Sequence, residues 1–145
     1  MNLVIVGCSR RKLATDVPVP ALELYEGGAV PRLRERVAAK PAWRNRVWVL
    51  SAEHGLVPAD RPLLPYDRLL TLERAEELRP QVAEAVRRAL GELRSGEVLT
   101  IVEPLYLVCL ADLLTAPNRP AIRWVPDPVG GWASAAAVLD RWGWR

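Results

Sequence analysis

Hydrophobic positions along the chain fall into two patterns, short continuous runs and longer periodic stretches. Asn2-Leu3-Val4-Ile5-Val6-Gly7 is continuous and β-branched. Such a run predicts a strand buried on both faces, as in a parallel sheet. Val47-Trp48-Val49-Leu50, Val98-Leu99-Thr100-Ile101-Val102 and Ile122-Arg123-Trp124-Val125 repeat the pattern. The stretches between them carry apolar residues at intervals near 3.6, the mark of amphipathic helices.

Ala21 to Tyr25 predicts one or two helical turns, stopped by Gly27-Gly28. Pro31 suits the first turn of the next helix, with Leu33, Val37 and Ala38 on its apolar side and Pro41 expected to end it. Ala75, Leu78, Val82, Val86, Ala89, Leu90 and Leu93 predict a helix over 72–94. Thr71 is its expected N-cap, and Pro80 is expected to kink it or split off its first turns. A further helix runs through Tyr106, Cys109, Leu110 and Leu113 until Pro117 and Pro120, and a last one from Ala133 to Trp142. A helix crossing between two buried strands makes them parallel neighbours with a right-handed connection. The expected fold over 1–145 is a single α/β domain, a three-layer Rossmann-like sandwich with a mainly parallel sheet of about four strands.

Composition narrows the class. At 145 residues and 50% hydrophobic, the chain can bury a sizeable core, which argues against disorder. The net charge of +3 is only mildly basic, so a basic patch must be local, and Ser9 to Lys12 is the best candidate. Cys8 and Cys109 lack metal-ligand spacing and His54 is the single histidine, so neither a zinc cluster nor another cofactor is expected. The N-terminus begins with a strand and shows no leader pattern, and no apolar run approaches the roughly 20 residues of a membrane span. A cytoplasmic protein with reduced thiols and no membrane partner is expected. The oligomeric state stays open.

Candidate chemistry gathers where the strands end. Leu50-Ser51-Ala52-Glu53-His54-Gly55-Leu56-Val57-Pro58 follows the second strand, and Pro65-Tyr66-Asp67 follows that. Read as a loop, it packs a hydroxyl, a carboxylate, the histidine and a glycine into five residues at a strand's carboxyl end, where open α/β sheets bind ligands. The loop after the first strand, Gly7-Cys8-Ser9-Arg10-Arg11-Lys12, offers backbone N–H groups and cations to an anion, though without the frame of a Walker loop. Glu103 and Tyr106, and then Asp127, Gly130 and Gly131, stand after the third and fourth strands.

Several of these residues have two readings. Cys8 and His54 could form a nucleophile–base pair, or Cys8 is a small buried residue and His54 a solvated one. Glu53 and Asp67 could be a general base or hold ribose hydroxyls, while Glu53 could equally pair with Arg61 or Arg68. Ser51 either contacts a ligand or caps the following turn, and Gly55 either admits a ligand or supplies a positive φ. Tyr66, or a Trp such as Trp132, could stack on a base or pack in the core. Cys109 reads as core.

The chain resembles the small bacterial and phage domains called YaaA-like. The shared pattern is Cys8-Ser9, Lys12, Ala21-x-x-Leu24-Tyr25-x-Gly27, Leu50-Ser51-Ala52-x-His54-Gly55-Leu56 and Pro65-Tyr66-Asp67, with Tyr106 as a weaker trace. It is also similar to the core domain of archaeosine synthase, through Cys8-Ser9-Arg10-Arg11-Lys12, Ser51 to Pro58 and Tyr66-Asp67. The resemblance implies nucleic-acid, nucleotide or base chemistry, and adds Tyr25 and Tyr106 to the candidate ligand contacts. The Pro-Tyr-Ser that follows the lysine in archaeosine synthase is Leu13-Ala14-Thr15 here, which argues for a smaller or different substrate.

The expectation is an enzyme recognising a nucleobase or nucleotide and acting at its N-glycosidic bond or on the base. Glu53, Asp67 or Cys8 would be catalytic, and Ser9, Lys12, Tyr25, Ser51, His54, Gly55, Tyr66 and Tyr106 would bind substrate. The expected partner is a nucleotide, nucleoside or nucleic acid. The alternative is a non-catalytic binder of the same ligands, such as a stress or damage-response factor.

Overall fold

The computed structural model describes residues 2–91 and 96–145. β1 (Leu3–Gly7) leads through β2 (Val19–Pro20) into α1 (Ala21–Leu24), α2 (Val30–Val37) and α3 (Pro41–Arg44). β3 (Val47–Ser51), β4 (Gly55–Pro58), β5 (Pro62–Leu63) and α4 (Leu72–Leu90) follow. The chain then runs through β6 (Glu97–Ile101), α5 (Tyr106–Cys109), α6 (Ala111–Thr115), β7 (Ala121–Val125) and α7 (Trp132–Arg141).

The architecture is mixed α/β, with a mostly parallel sheet of five strands in the order β4-β3-β1-β6-β7. β1 is central, parallel to β3 (Val4 opposite Val47) and to β6 (Val4 opposite Leu99). β7 adds in parallel to β6. Successive residues of β1 point to opposite faces, which explains its unbroken apolar run. Val4 and Val6 enter one buried cluster with Leu22, Leu33 and Leu139, while Leu3 and Ile5 enter another with Leu78, Val82 and Leu110. Each fully buried Val, Leu or Ile contributes about 1.5–3 kcal/mol.

The structure departs from the sequence expectations at several places. The sheet has a fifth strand, because Gly55 to Pro58 is not loop but β4, antiparallel to β3 with Ser51 opposite Gly55. Its brevity and its tight turn hid it. β2 and β5 form a separate two-stranded ladder, also unforeseen. α2 already ends at Val37, and Pro41 starts α3 instead of closing the preceding helix. α4 runs unbroken through Pro80. Ala75, Leu78, Val82, Ala85, Val86 and Ala89 are buried along it, and that packing outweighs the roughly 3 kcal/mol cost of an interior proline. Pro80 and Glu76, whose carbonyl loses its donor, are both exposed, so water can replace the missing N–H. Thr71 caps the helix as expected, accepting from the Arg74 N–H at 3.1 Å. Residues 92–94 of the expected helix, Leu93 among them, lie outside the described residues.

Among the described residues, no helix is long and apolar enough to cross a membrane.

Candidate functional site

The chain leaves β1 for β3 on one side and later crosses back to place β6 on the other. Loops leaving β1 and β6 therefore diverge, and a crevice opens between them. A cleft of about 730 Å³ lies there. The β1 loop (Cys8 to Lys12), the β6 loop (Glu103, Pro104, Tyr106) and the β7 loop (Pro126 to Val129) line it, joined by Gly27, Gly28 and Asp67 to Leu70. A hollow of about 570 Å³ between α4 and α6 lies away from the strands' carboxyl ends, and its Asp112 is already paired with Arg79.

The β1 loop is tied down by its own polar groups. Ser9 Oγ donates to the Arg11 carbonyl (2.8 Å) and accepts from the Gly27 N–H (3.1 Å). Lys12 Nζ donates to the Arg10 carbonyl at 3.1 Å and lies 4.4 Å from the Tyr66 ring centre and 5.9 Å from that of Tyr25. Backbone bonds from Leu13 to Leu24 (2.7 Å) and from Glu26 to Arg11 (2.9 Å) stitch the loop to α1's end. The ammonium is thus held against aromatic faces at the cleft wall before any ligand arrives. Among the described residues, no ion pair engages Arg10, Arg11 or Lys12.

Behind Lys12 runs a chain of hydroxyls. Ser51 Oγ accepts from the N–H groups of Glu53 (3.2 Å) and His54 (3.0 Å), so it does cap its turn. Its proton is then free for the Tyr66 hydroxyl at 2.6 Å, which leaves Tyr66 to donate to Tyr25 at 2.6 Å. Ser51 and Tyr25 are fully buried. None of these three side chains lines the cleft, and they stand behind Lys12.

The β3–β4 turn is gripped from outside. Arg74 donates to the carbonyls of Ala52 (3.0 Å) and Glu53 (2.8 Å). Gln81 pairs with both backbone groups of Leu56, at 3.0 and 3.1 Å. Neither residue was singled out in the sequence, because nothing local distinguishes them along α4. Gly55 has φ +74°, and a side chain there would run into the Gln81 amide.

Two of the expected site residues, Glu53 and His54, stand outside the cleft wall. The Glu53 carboxylate pairs with Arg68 at 3.5 Å and does not line the cleft. His54 is exposed at the surface, its ring edge-on to Tyr66 at 5.3 Å, and partial desolvation of the ring lowers its pKa from the ordinary imidazole value. The hydrogen-bond partner of Cys8 Sγ is the Tyr106 hydroxyl at 3.1 Å, not His54, and Cys8 and Tyr106 both line the cleft. Trp132 lies under Arg36, 6.0 Å from its guanidinium, and is not a cleft residue. Cys109 is buried core, its thiol pushed up to about 11 by desolvation. Asp127 accepts from the N–H groups of Val129 (3.1 Å) and Gly130 (2.9 Å), shaping the β7 loop. Asp67 and Glu103 are exposed, line the cleft, and take part in no ion pair among the described residues. No group of three or more His, Cys, Asp or Glu among the described residues is placed to hold a metal ion.

A family model described as "Family of unknown function (DUF6884)" matches residues 3–123. The chain belongs to this family. No curated protein and no solved structure matches it. The DUF6884 match spans β1 to the middle of β7, and so takes in the β1 loop, the β3–β4 turn, Asp67, Glu103 and Tyr106. Asp127 and α7 lie beyond it.

The DUF6884 chain has three tyrosines, and burial pushes all three hydroxyls up, Tyr25 to about 12. A raised tyrosine pKa means that the folded state holds the proton more tightly than the unfolded state does. The associated stability is present below the ordinary tyrosine value of about 10 and is lost as pH rises through the folded value. An absorbance titration of tyrosinate is expected to show almost no ionisation at pH 10, where free tyrosine is about half ionised. The signal should rise only as circular dichroism reports unfolding. Half ionisation at pH 10 with the fold intact would contradict the buried hydroxyl chain.

Proposed function

We propose that this protein is an enzyme that recognises a nucleobase or nucleotide and hydrolyses its N-glycosidic bond. One observation carries the reading. The crevice between β1 and β6 sets Arg10, Arg11 and Lys12 in the same cleft as Asp67 and Glu103. Cations suit a phosphate, and carboxylates suit ribose hydroxyls and a sugar that becomes positive as its base departs. The resemblance to YaaA-like domains and to the archaeosine synthase core, carried by Cys8-Ser9, Lys12, Ser51 to Pro58 and Tyr66-Asp67, supports base chemistry. With helices packing on both faces of the sheet, we read the architecture as a Rossmann-like three-layer sandwich. The free thiols of Cys8 and Cys109 suit a cytoplasmic setting.

In the proposed reaction the bond from the sugar's anomeric carbon to the base nitrogen breaks. Its electron pair leaves with the base, which takes up a proton from solvent. A water oxygen bonds to the anomeric carbon, and the water's proton passes to Asp67. Glu103 stabilises charge on the sugar, and Tyr106 and Cys8 border the ligand. Cys8→Ser is expected to retain most of its turnover, because serine still offers a hydrogen bond to Tyr106. Full loss in that variant would instead assign the chemistry to the thiol.

The test is base release. Purified protein would be incubated with natural and modified nucleosides, their monophosphates and short DNA and RNA strands, and liquid chromatography with mass detection would look for free base. A product that vanishes in Asp67→Asn supports the enzyme. No product, with a ligand retained in native mass spectrometry, overturns it in favour of a non-catalytic nucleotide or nucleic-acid binder.

A further inference from the structure

Resting on the reading of this cleft as a nucleotide site, we infer that its ligand is a single nucleotide carrying one terminal phosphate, and not a strand. A protein that holds single-stranded nucleic acid tracks several phosphates along a basic groove. This cleft cannot do so. Of its four cations Arg68 is paired with Glu53, and those outside ion pairs among the described residues are three consecutive ones, Arg10, Arg11 and Lys12, while Asp67, Glu103 and Asp127 line the same space. A strand laid through the cleft would bring its next phosphates against carboxylates, and like charges there cost binding. One phosphate at the β1 loop avoids that repulsion. The carboxylates then face sugar hydroxyls, which they can accept from.

Much of the remaining cleft wall is apolar. Leu69 is 81% exposed and Val129 is 64% exposed, an unusual degree of exposure for large aliphatic side chains that line a cleft. Pro104 and Pro128 continue the same surface. A flat base covering these groups removes apolar area from water, at about 25 cal/mol per Å². The volume of about 730 Å³ falls within the usual range for small-molecule sites. The phosphate end is already organised. Lys12 is held by the Arg10 carbonyl and the Tyr66 ring, and Ser9 by Arg11 and Gly27, so little ordering entropy is lost on binding.

The experiment is equilibrium binding by calorimetry on the intact protein. Its probes are the common nucleoside 5′-monophosphates, the matching nucleosides, inorganic phosphate, and short single strands of DNA and RNA. At least one monophosphate is expected to bind about ten- to hundredfold more tightly than its nucleoside, the range of one or two charge-assisted hydrogen bonds. Inorganic phosphate is expected to compete with it. Lys12→Met should remove most of that preference. Arg11→Ala, at an exposed position that leaves the fold intact, should remove part of it. Leu69→Ala should weaken the monophosphate without changing phosphate affinity.

Strands binding more tightly than every monomer, with a salt dependence of several phosphates, would overturn the inference and leave the base-release reading standing. Nucleosides binding as tightly as their monophosphates would overturn it in the same way. If none of these probes binds, the nucleotide reading itself falls with it.

Discussion

Asp67→Asn is expected to lower base release by about 10²- to 10⁴-fold, the usual contribution of a positioned general base. The amide keeps the size of the carboxylate but cannot take a proton from water. Asp67 lines the cleft and is exposed, so its replacement should leave thermal stability nearly unchanged. The paired experiment is Glu53→Gln. Glu53 lies outside the cleft wall with its carboxylate 3.5 Å from Arg68, and an exposed pair of this kind contributes about 0–1 kcal/mol. Turnover in Glu53→Gln should therefore stay close to wild type. Steady-state kinetics on the substrate found in the base-release screen separate the two. A large loss in Glu53→Gln with little loss in Asp67→Asn would reverse the assignment and bring the β3–β4 turn into the chemistry.

Gly55→Ala is expected to destabilise the fold by about 3 kcal/mol. A positive φ costs an L-residue roughly 1–2 kcal/mol, and each displaced hydrogen bond adds about 1 kcal/mol. Both apply here, because Gly55 sits at φ +74° and a methyl group would push away the Gln81 amide that pairs with Leu56. Thermal unfolding should shift down by roughly 10 °C. Gly143 provides the control. It also has positive φ, +83°, but nothing within 4 Å of an added methyl, so Gly143→Ala should show only the strain. Gln81→Ala placed on top of Gly55→Ala should cost little more, since the bonds it would remove are already lost. Equal shifts for the two glycine variants would show that Gln81 does not grip the strand edge.

What the chain made legible follows from local physics. The four parallel strands were readable because burial on both faces demands continuous apolar runs, and Leu3 to Val6 can satisfy both clusters at once. Thr71 was readable as a cap because its hydroxyl reaches an N–H three residues on. The loops at the strand ends were readable too, since polar residues and glycines directly follow each run. β4 was not, because a strand of four residues after a three-residue turn carries no period of its own. Pro80 misled for a related reason. Its local penalty is real, but six buried residues of α4 belong to the tertiary packing that overrides it.

The candidate site divides along the same line. The sequence by itself determined which chemical groups stand at the strand ends, from Cys8 to Lys12, through Asp67, to Glu103 and Tyr106. It could do so because Cys8 to Lys12, Glu103 and Tyr106 lie within a few residues of a legible strand, while Asp67 stood out through the Pro65-Tyr66-Asp67 pattern. Only the tertiary structure decided which of them share a space. Strand order is set by crossover connections and long-range packing, and that order opens the crevice at β1 and β6. The same long-range contacts turned Glu53 to Arg68, gave Cys8 to Tyr106 across 98 residues, and stacked Ser51, Tyr66 and Tyr25 behind Lys12. Partners so far apart in the chain have no shared period or spacing, so their pairing becomes visible only once the sheet is assembled.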